Sequence, residues 1–269
     1  MRSHPRSTLT LTAAAVVVAG CGGSATAART TPSPAPSLAV TDGPSLIAAM
    51  RQRYAGKWYT TLSFLQNNTL YSLRGTETKS QWMEYMSIPG KLRIDYLPLE
   101  NHSGVLYAGG TVYSFDNGRL ASSQAGINPY LLLSADVYAR PAEETARLAD
   151  SLGFKVGLFH TDAWEGRPAY VLGAPAGDTT ASQFWVDVDR LLVVRVRQLE
   201  RRGDRTIVTE ARFNKYADFG GYPVSTEVLL YRDGRLVFKE EYANVKVNPP
   251  LSADLFDPAK WVEAQPKAN

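Results

Sequence analysis

The stretch FWVDVDRLLVVRVR, residues 184–197, decides how this chain is read. It forms two arms of alternating character joined by a tight polar turn at about Asp187 to Arg190, the pattern of a β-hairpin. Successive side chains of a strand point to opposite faces. On the second arm this sends Leu192, Val194 and Val196 one way and Val193, Arg195 and Arg197 the other. Similar hairpins recur before and after it. The body is therefore expected to be one long antiparallel meander that curls and buries one face.

Upstream, strand patterns cover 57–65, 70–76, 81–88, 91–97, 103–108 and 111–115, with turn signals at Asn67-Asn68, Pro89-Gly90, Gly109-Gly110 and Asp116-Asn117-Gly118. Downstream they cover 155–160, 167–172, 206–213, 224–231 and 235–247. Two segments break the period. Leu46, Ile47, Met50 and Tyr54 make an apolar stripe at helical spacing behind a cap at Thr41 or Asp42. In the middle, Asn128-Pro129 opens one short helix. Pro141 opens another, with Glu143 and Glu144 in its first turn and Gly153 as its stop. The order is one helix, a run of strands, a helical insert, and more strands: a mainly β chain.

Residues 1–20 read as a secretory signal, with Arg2 and Arg6 before an apolar run over 9–19 that is too short to span a bilayer. The run ends VAGC at 18–21, which resembles the bacterial lipobox and makes Cys21 the lipid-bearing residue. Cys21 is also the only cysteine, so no internal disulfide can form. Residues 21–44 are a flexible linker rich in Pro, Ser, Thr and Ala. The domain is expected over 45–263, with a tail at 264–269. The expected location is outside the cytoplasm, anchored to a membrane through Cys21. In an organism with an outer membrane, that is its periplasmic face.

The composition, 44% hydrophobic and 20% charged, suits a globular core. Loss of Arg2 and Arg6 with the signal takes the formal net charge from +3 to +1. With no basic stripe interleaved with aromatics, a nucleic-acid partner is not expected. His102 and His160 are the histidines left after processing, and neither has a second His or Cys at ligand spacing, so no metal is expected. No nucleophile elbow, phosphate-binding glycine loop or His-Glu-x-x-His occurs. No catalytic residue or cofactor is therefore assigned. The acid pairs Asp187/Asp189 and Glu240/Glu241 read as solvated charges, and Arg202-Gly203-Asp204 as a hairpin turn.

Four phrases in order, IPGKLRID at 88–95, LYAGGTVY at 106–113, FWVD at 184–187 and VNPPLSADLF at 247–256, resemble the LolA/LolB lipoprotein-carrier superfamily. RseB-like sensors and the LppX/LprG-like lipoproteins belong to the same superfamily. The resemblance implies a half-open, incomplete antiparallel barrel whose mouth is plugged by helices and whose cavity holds acyl chains. It also implies that Arg93, where family members often carry an arginine, controls the cavity mouth. Candidate cavity residues are Trp58, Leu62, Phe64, Trp82, Leu92, Ile94, Tyr96, Tyr113, Phe115, Leu132, Trp185, Val194, Phe213 and Phe238. The implied function is a carrier or acceptor of lipid or lipoprotein acyl chains. The alternative is an RseB-like sensor or scaffold that binds an envelope protein through the same sheet.

The anchor is directly testable. Cys21→Ser is expected to abolish lipidation and detergent partitioning, read by phase separation and by the mass of the exported chain. Unchanged membrane retention would show that Cys21 is not the anchor.

Overall fold

The computed structural model describes residues 39–266. The signal, Cys21 and the linker up to residue 38 lie outside the described residues, as do residues 267–269 of the tail. Helix α1 (Gly43–Arg53) starts at Asp42, which shares a reciprocal capping box with Ser45 and buries Leu46, Ile47 and Met50. A first meander follows: β1 (Thr61–Tyr71), β2 (Glu77–Ser87), β3 (Lys91–Tyr96), β4 (Gly104–Ala108), β5 (Thr111–Asp116) and β6 (Arg119–Ala125). The insert comprises α2 (Pro129–Ser134), a short 3-10 turn (Asp136–Tyr138) and α3 (Ala142–Ser151).

The second meander is β7 (Lys155–Trp164), β8 (Arg167–Gly173), β9 (Gln183–Asp187), β10 (Val193–Arg202), β11 (Arg205–Asp218), β12 (Pro223–Arg232) and β13 (Arg235–Val247). Two 3-10 turns, Ala253–Phe256 and Pro258–Lys260, end the described chain. Strand β6 has no counterpart in the sequence reading. Its residues RLASSQA are all exposed and carry no apolar face, so backbone pairing to β5 holds it without a patterning signal.

All the strands join one 13-stranded antiparallel sheet in the order β6-β5-β4-β3-β2-β1-β13-β12-β11-β10-β9-β8-β7. The first and last strands pair at its centre, and the free edges, β6 and β7, are consecutive in the chain. The sheet does not close into a barrel. The insert connects one free edge to the other and packs with α1 against the concave face. The main core is built there from Leu46, Ile47, Leu132, Leu133, Phe184 and Val196, among others. Close approach of α1 depends on Gly43, where a Cβ would stand 1.9 Å from the Val156 carbonyl oxygen of β7.

The hairpin at 184–197 departs from strict alternation. Val193 faces Val186 and Arg195 faces Trp185, which leaves Val194 as the extra residue of a β-bulge. Leu192, Val193 and Val196 join the main core. Val194 turns to the outer face with Trp185, Ala169 and Val171.

The outer face of the first meander is buried as well. Tyr85, Leu106 and Phe115 pack beneath Leu255, Phe256 and Trp261 of the C-terminal segment. Arg93 lies under that segment, not at the mouth of the concave face. Its guanidinium grips Asp95 through two bonds of 2.8 and 2.9 Å, donates to the Trp261 carbonyl at 2.7 Å, and sits 3.9 Å from the Trp261 ring. Both side chains of the pair are 0% exposed. The indole of Trp261 stacks on Phe115 at 4.3 Å and donates to the His102 carbonyl. Gly104 leaves room for it, since a Cβ there would meet that ring at 3.0 Å.

Removing one partner of a buried, hydrogen-bonded ion pair leaves the other charge uncompensated. Arg93→Met is therefore expected to destabilise the domain by about 3–5 kcal/mol, and Arg93→Met/Asp95→Leu to recover most of that loss. Urea unfolding of the two variants checks it. Equal midpoints for wild type and Arg93→Met would show that the arginine does not clamp the segment.

Candidate functional site

The site grows from the way the insert is fastened across the open sheet. Its Asp136 carboxylate accepts the Gly90 N–H of the β2–β3 turn at 2.9 Å and pairs with Arg140. Burial pushes the Asp136 carboxyl upward, and the Gly90 N–H and Arg140 oppose that shift. On the other half, the Tyr138 hydroxyl donates to the Leu191 carbonyl at 3.1 Å and accepts the Val193 N–H at 3.3 Å. The turn Asp136–Tyr138 thus ties the insert to both meanders through side chains that the sequence reading left unassigned.

Between α2 and the concave sheet lies a cavity of about 100 Å³, whose walls include Trp82, Met86, Ile94, Tyr130, Phe213 and Val228. A smaller hollow of about 40 Å³ adjoins it, sharing Met86, Phe213 and Val228 and reaching Leu62. Of the candidates named from sequence, Leu62, Trp82, Leu92, Ile94 and Phe213 line these two spaces. Tyr96 and Phe238 pack on the Trp82 ring at 5.1 and 5.5 Å. Phe64 stacks on Tyr242, while Trp58 and Leu132 are buried deeper in the same core.

Four candidates lie elsewhere. Tyr113 and Phe115 face the C-terminal segment on the outer side. Trp185 and Val194 belong to the outer cluster of the second meander. The reason is shared: both faces of this sheet bury apolar residues, so a large aromatic in alternation does not reveal which face is concave.

The sequence reading missed two carboxyls of the concave face. Glu84 lines the cavity between Trp82 and Met86 on β2, is 5% exposed, and has no hydrogen-bond partner among the described residues. Burial first, and then the charge of Glu240, pushes its carboxyl well above the usual range. Glu240 lines the same cavity from β13 and accepts a 2.9 Å hydrogen bond from the Tyr242 hydroxyl. Burial pushes it up to about 7, against the effect of that bond. Placing Glu240 among solvated charges is therefore a correction to make, and Asp187 needs the same one: it is buried and paired with Arg167 and Arg190. Glu84 had a legible signal, a lone acid at period two between Trp82 and Met86.

The outer face of the second meander carries a ladder of rings and guanidinium groups. Arg195 lies 4.6 Å from the Trp164 ring and 4.2 Å from the Trp185 ring, and Arg212 lies 4.1 Å from the Tyr231 ring. Glu210 pairs with both arginines. The larger hollows among the described residues are a groove of about 860 Å³ along β1, β2 and the 97–100 loop, one of about 390 Å³ between the β2–β3 and β4–β5 turns and the insert, and one of about 290 Å³ beside this ladder. Among the described residues no group of three or more His, Cys, Asp or Glu is placed to hold a metal ion. No helix among them is long and apolar enough to cross a membrane.

No protein-family model matches the chain, and no curated protein matches it. Solved structures do. A domain from Vibrio parahaemolyticus described as an outer membrane lipoprotein-sorting protein is 11% identical, with a TM-score of 0.57 over 82% of this chain and 98% of that one. A DUF1329 family protein from Desulfovibrio piger is 16% identical, with a TM-score of 0.56 over 84% of this chain and 100% of that one. A LolA superfamily protein from Nitrosomonas europaea is 14% identical, with a TM-score of 0.50 over 81% and 98%. At such identities the likeness is one of fold: these structural neighbours share the LolA-like unclosed sheet.

The carboxyls make stability depend on pH in a defined direction. Glu240 has its folded pKa raised from 4.5 to about 7, so the folded chain holds a proton that the unfolded chain has released. Glu240's contribution should therefore fall as pH rises from about 4.5 to about 7 and be lost above that, and Glu84 and Asp136, also raised, act in the same direction. Asp187, Glu210 and Glu227 are shifted downward and act at lower pH. Glu240→Gln should flatten the melting-temperature profile within that window. Superimposable slopes for variant and wild type would show that Glu240 is solvated.

Proposed function

We propose that this chain is an exported, lipid-anchored carrier or acceptor that holds a lipid or lipoprotein acyl chain against the concave face, without a chemical step. One observation carries the reading: the cavity lies in the seam between the sheet and an insert that is not part of the sheet. The space lies under α2, in a layer held to the sheet by side-chain contacts such as those of Asp136 and Tyr138 and not by strand pairing. The fold shared with a domain described as a lipoprotein-sorting protein supports the same reading.

The space of about 100 Å³ is well below the roughly 300–1,000 Å³ of sites that take drug-sized ligands. Uptake of a chain therefore requires α2 to move off β2, β3 and β13, with Asp136 and Tyr138 as the latches that open. Each methylene then transferred from water contributes about 0.8 kcal/mol, which offsets the separation of α2 from the sheet. Leu62, Trp82, Leu92, Ile94 and Phe213 would line the chain, with Phe64, Tyr96 and Phe238 behind them and Trp58 and Leu132 under the insert. Cys21 would hold the body near the membrane from which the lipid comes.

A second reading is a sensor or scaffold that binds an envelope protein through the same sheet. The ladder of Trp164, Trp185, Arg195, Arg212 and Tyr231 favours it, because aromatic and arginine side chains are enriched at protein interfaces. This ladder is on the outer face, so the two readings separate by mutation.

A neutral fluorophore such as N-phenylnaphthylamine should bind the Cys21→Ser chain and be displaced by acyl ligands. Val228→Phe, which fills the cavity, should weaken uptake at least about tenfold. Tyr113→Ser on the outer face should leave it unchanged. A chain that takes up no probe and yields no lipid to mass spectrometry of native extract would leave the protein-binding scaffold.

A further inference from the structure

The cavity beneath α2 holds two carboxyls and no countercharge. Glu84 approaches from β2 with no hydrogen-bond partner among the described residues, and Glu240 approaches from β13 with only the Tyr242 hydroxyl. The groups on which the pair's charges act are phenols, Tyr96 of β3, Tyr107 of β4, Tyr130 of α2 and Tyr242 of β13, each pushed further up by one or both carboxylates. None is a cation. Lysines and arginines nearby in sequence are engaged on the opposite face, Arg212 with Glu210, and Lys239 with Glu227 and Glu241. The pair therefore does not belong to that solvated network, although Glu240 and Glu241 are adjacent.

A carboxyl set in an apolar wall without a partner is destabilising, and two in one cavity oppose each other's ionisation. Such a pair is useful to a ligand that brings positive charge and N–H donors into the space between them. The other walls suit the same ligand. Trp82, Tyr130, Phe213 and Tyr242 line the cavity with Glu84 and Glu240, and aromatic faces attract ammonium groups. A divalent cation suits it less, since hard cations take six or more oxygen ligands and these walls offer two carboxyls among rings.

We infer that the cavity recognises the protonated amine of an amphiphile, with Glu84 and Glu240 receiving the ammonium and the apolar concave face receiving its chain. This rests on the acyl-binding reading above and names the chemistry of the ligand's polar end. The pair then accounts for two acids on a face built largely of apolar and aromatic side chains. Rising pH, which ionises the pair, strengthens binding of an amine that stays protonated.

The test uses the full chain carrying Cys21→Ser and displacement of N-phenylnaphthylamine by dodecylammonium, dodecanol, dodecanoate and ethylammonium. Dodecylammonium should bind at least about tenfold more tightly than dodecanol, and dodecanoate most weakly. Glu84→Gln/Glu240→Gln should bring dodecylammonium to within about twofold of dodecanol while dodecanol itself is unaffected. Glu84→Gln alone, isosteric and without the buried charge, should lose most of the preference and serves if the double variant does not fold. Equal binding of the three dodecyl ligands, or a preference that survives both substitutions, overturns the amine assignment and leaves the acyl-binding reading standing. Ethylammonium binding as tightly as dodecylammonium overturns the assignment to an amphiphile in favour of a small free amine. Displacement by none of the four overturns both readings together.

Discussion

The pairing of β1 with β13 is the constraint on which the rest of this structure depends. It joins segments separated by most of the domain, in a register running from Leu62 opposite Val247 to Leu70 opposite Phe238. Asn248 finishes the seam: its side chain accepts the Thr60 N–H at 2.8 Å, and its own N–H reaches the Thr61 carbonyl at 2.9 Å. Once first and last strands meet at the centre, the two meanders must grow outward. Their free edges then belong to chain neighbours, β6 and β7, and the insert has to cross from one to the other. Covering of the concave face by α2 and α3 is thus a topological consequence of the central pair.

A sheet this wide has two faces to satisfy. The concave side is closed by three helices, and the outer side of the first meander by the C-terminal segment lying over Arg93, Asp95 and Phe115. Hydrophobic contact alone would let that segment slide. The guanidinium fixes it, because its donors are shared among the Asp95 carboxylate and the backbone carbonyls of Leu255 and Trp261. A buried pair of this kind contributes little net stability compared with an apolar replacement. What it contributes here is one position for the segment.

Charges on the two faces are handled differently. Outside, Glu210, Glu227 and Asp187 each meet at least one lysine or arginine, and their carboxyls are held below the usual range. Inside, Glu84 and Glu240 meet hydroxyls and rings, and their carboxyls are pushed up. The same residue type on adjacent positions, Glu240 and Glu241, takes opposite environments because neighbouring side chains of a strand face opposite ways. A carboxyl with no countercharge beside it is a cost to folding that the outer-face carboxyls, each met by a lysine or arginine, do not carry.

Local patterning determined much of this protein by itself. The hairpins, the α1 stripe at Leu46, Ile47 and Met50, the Asn128 cap of α2 and the interruption of the strands by helices follow from period, capping and turn chemistry, which act over a few residues. So does the mainly β class, whereas β6 left no trace because its pairing is made by backbone alone. Tertiary structure decided which apolar face is concave, and for that reason Tyr113, Phe115, Trp185 and Val194 went to the outer side while Trp82 and Phe213 stayed at the cavity. It also decided the burial of Arg93 and the isolation of Glu84 and Glu240. Each of these depends on a partner far along the chain: the C-terminal segment for Arg93, β13 and α2 for Glu84, and the bulge at Val194 that offsets a whole strand. Alternation states that two faces exist; only the long-range pairing states what lies against each.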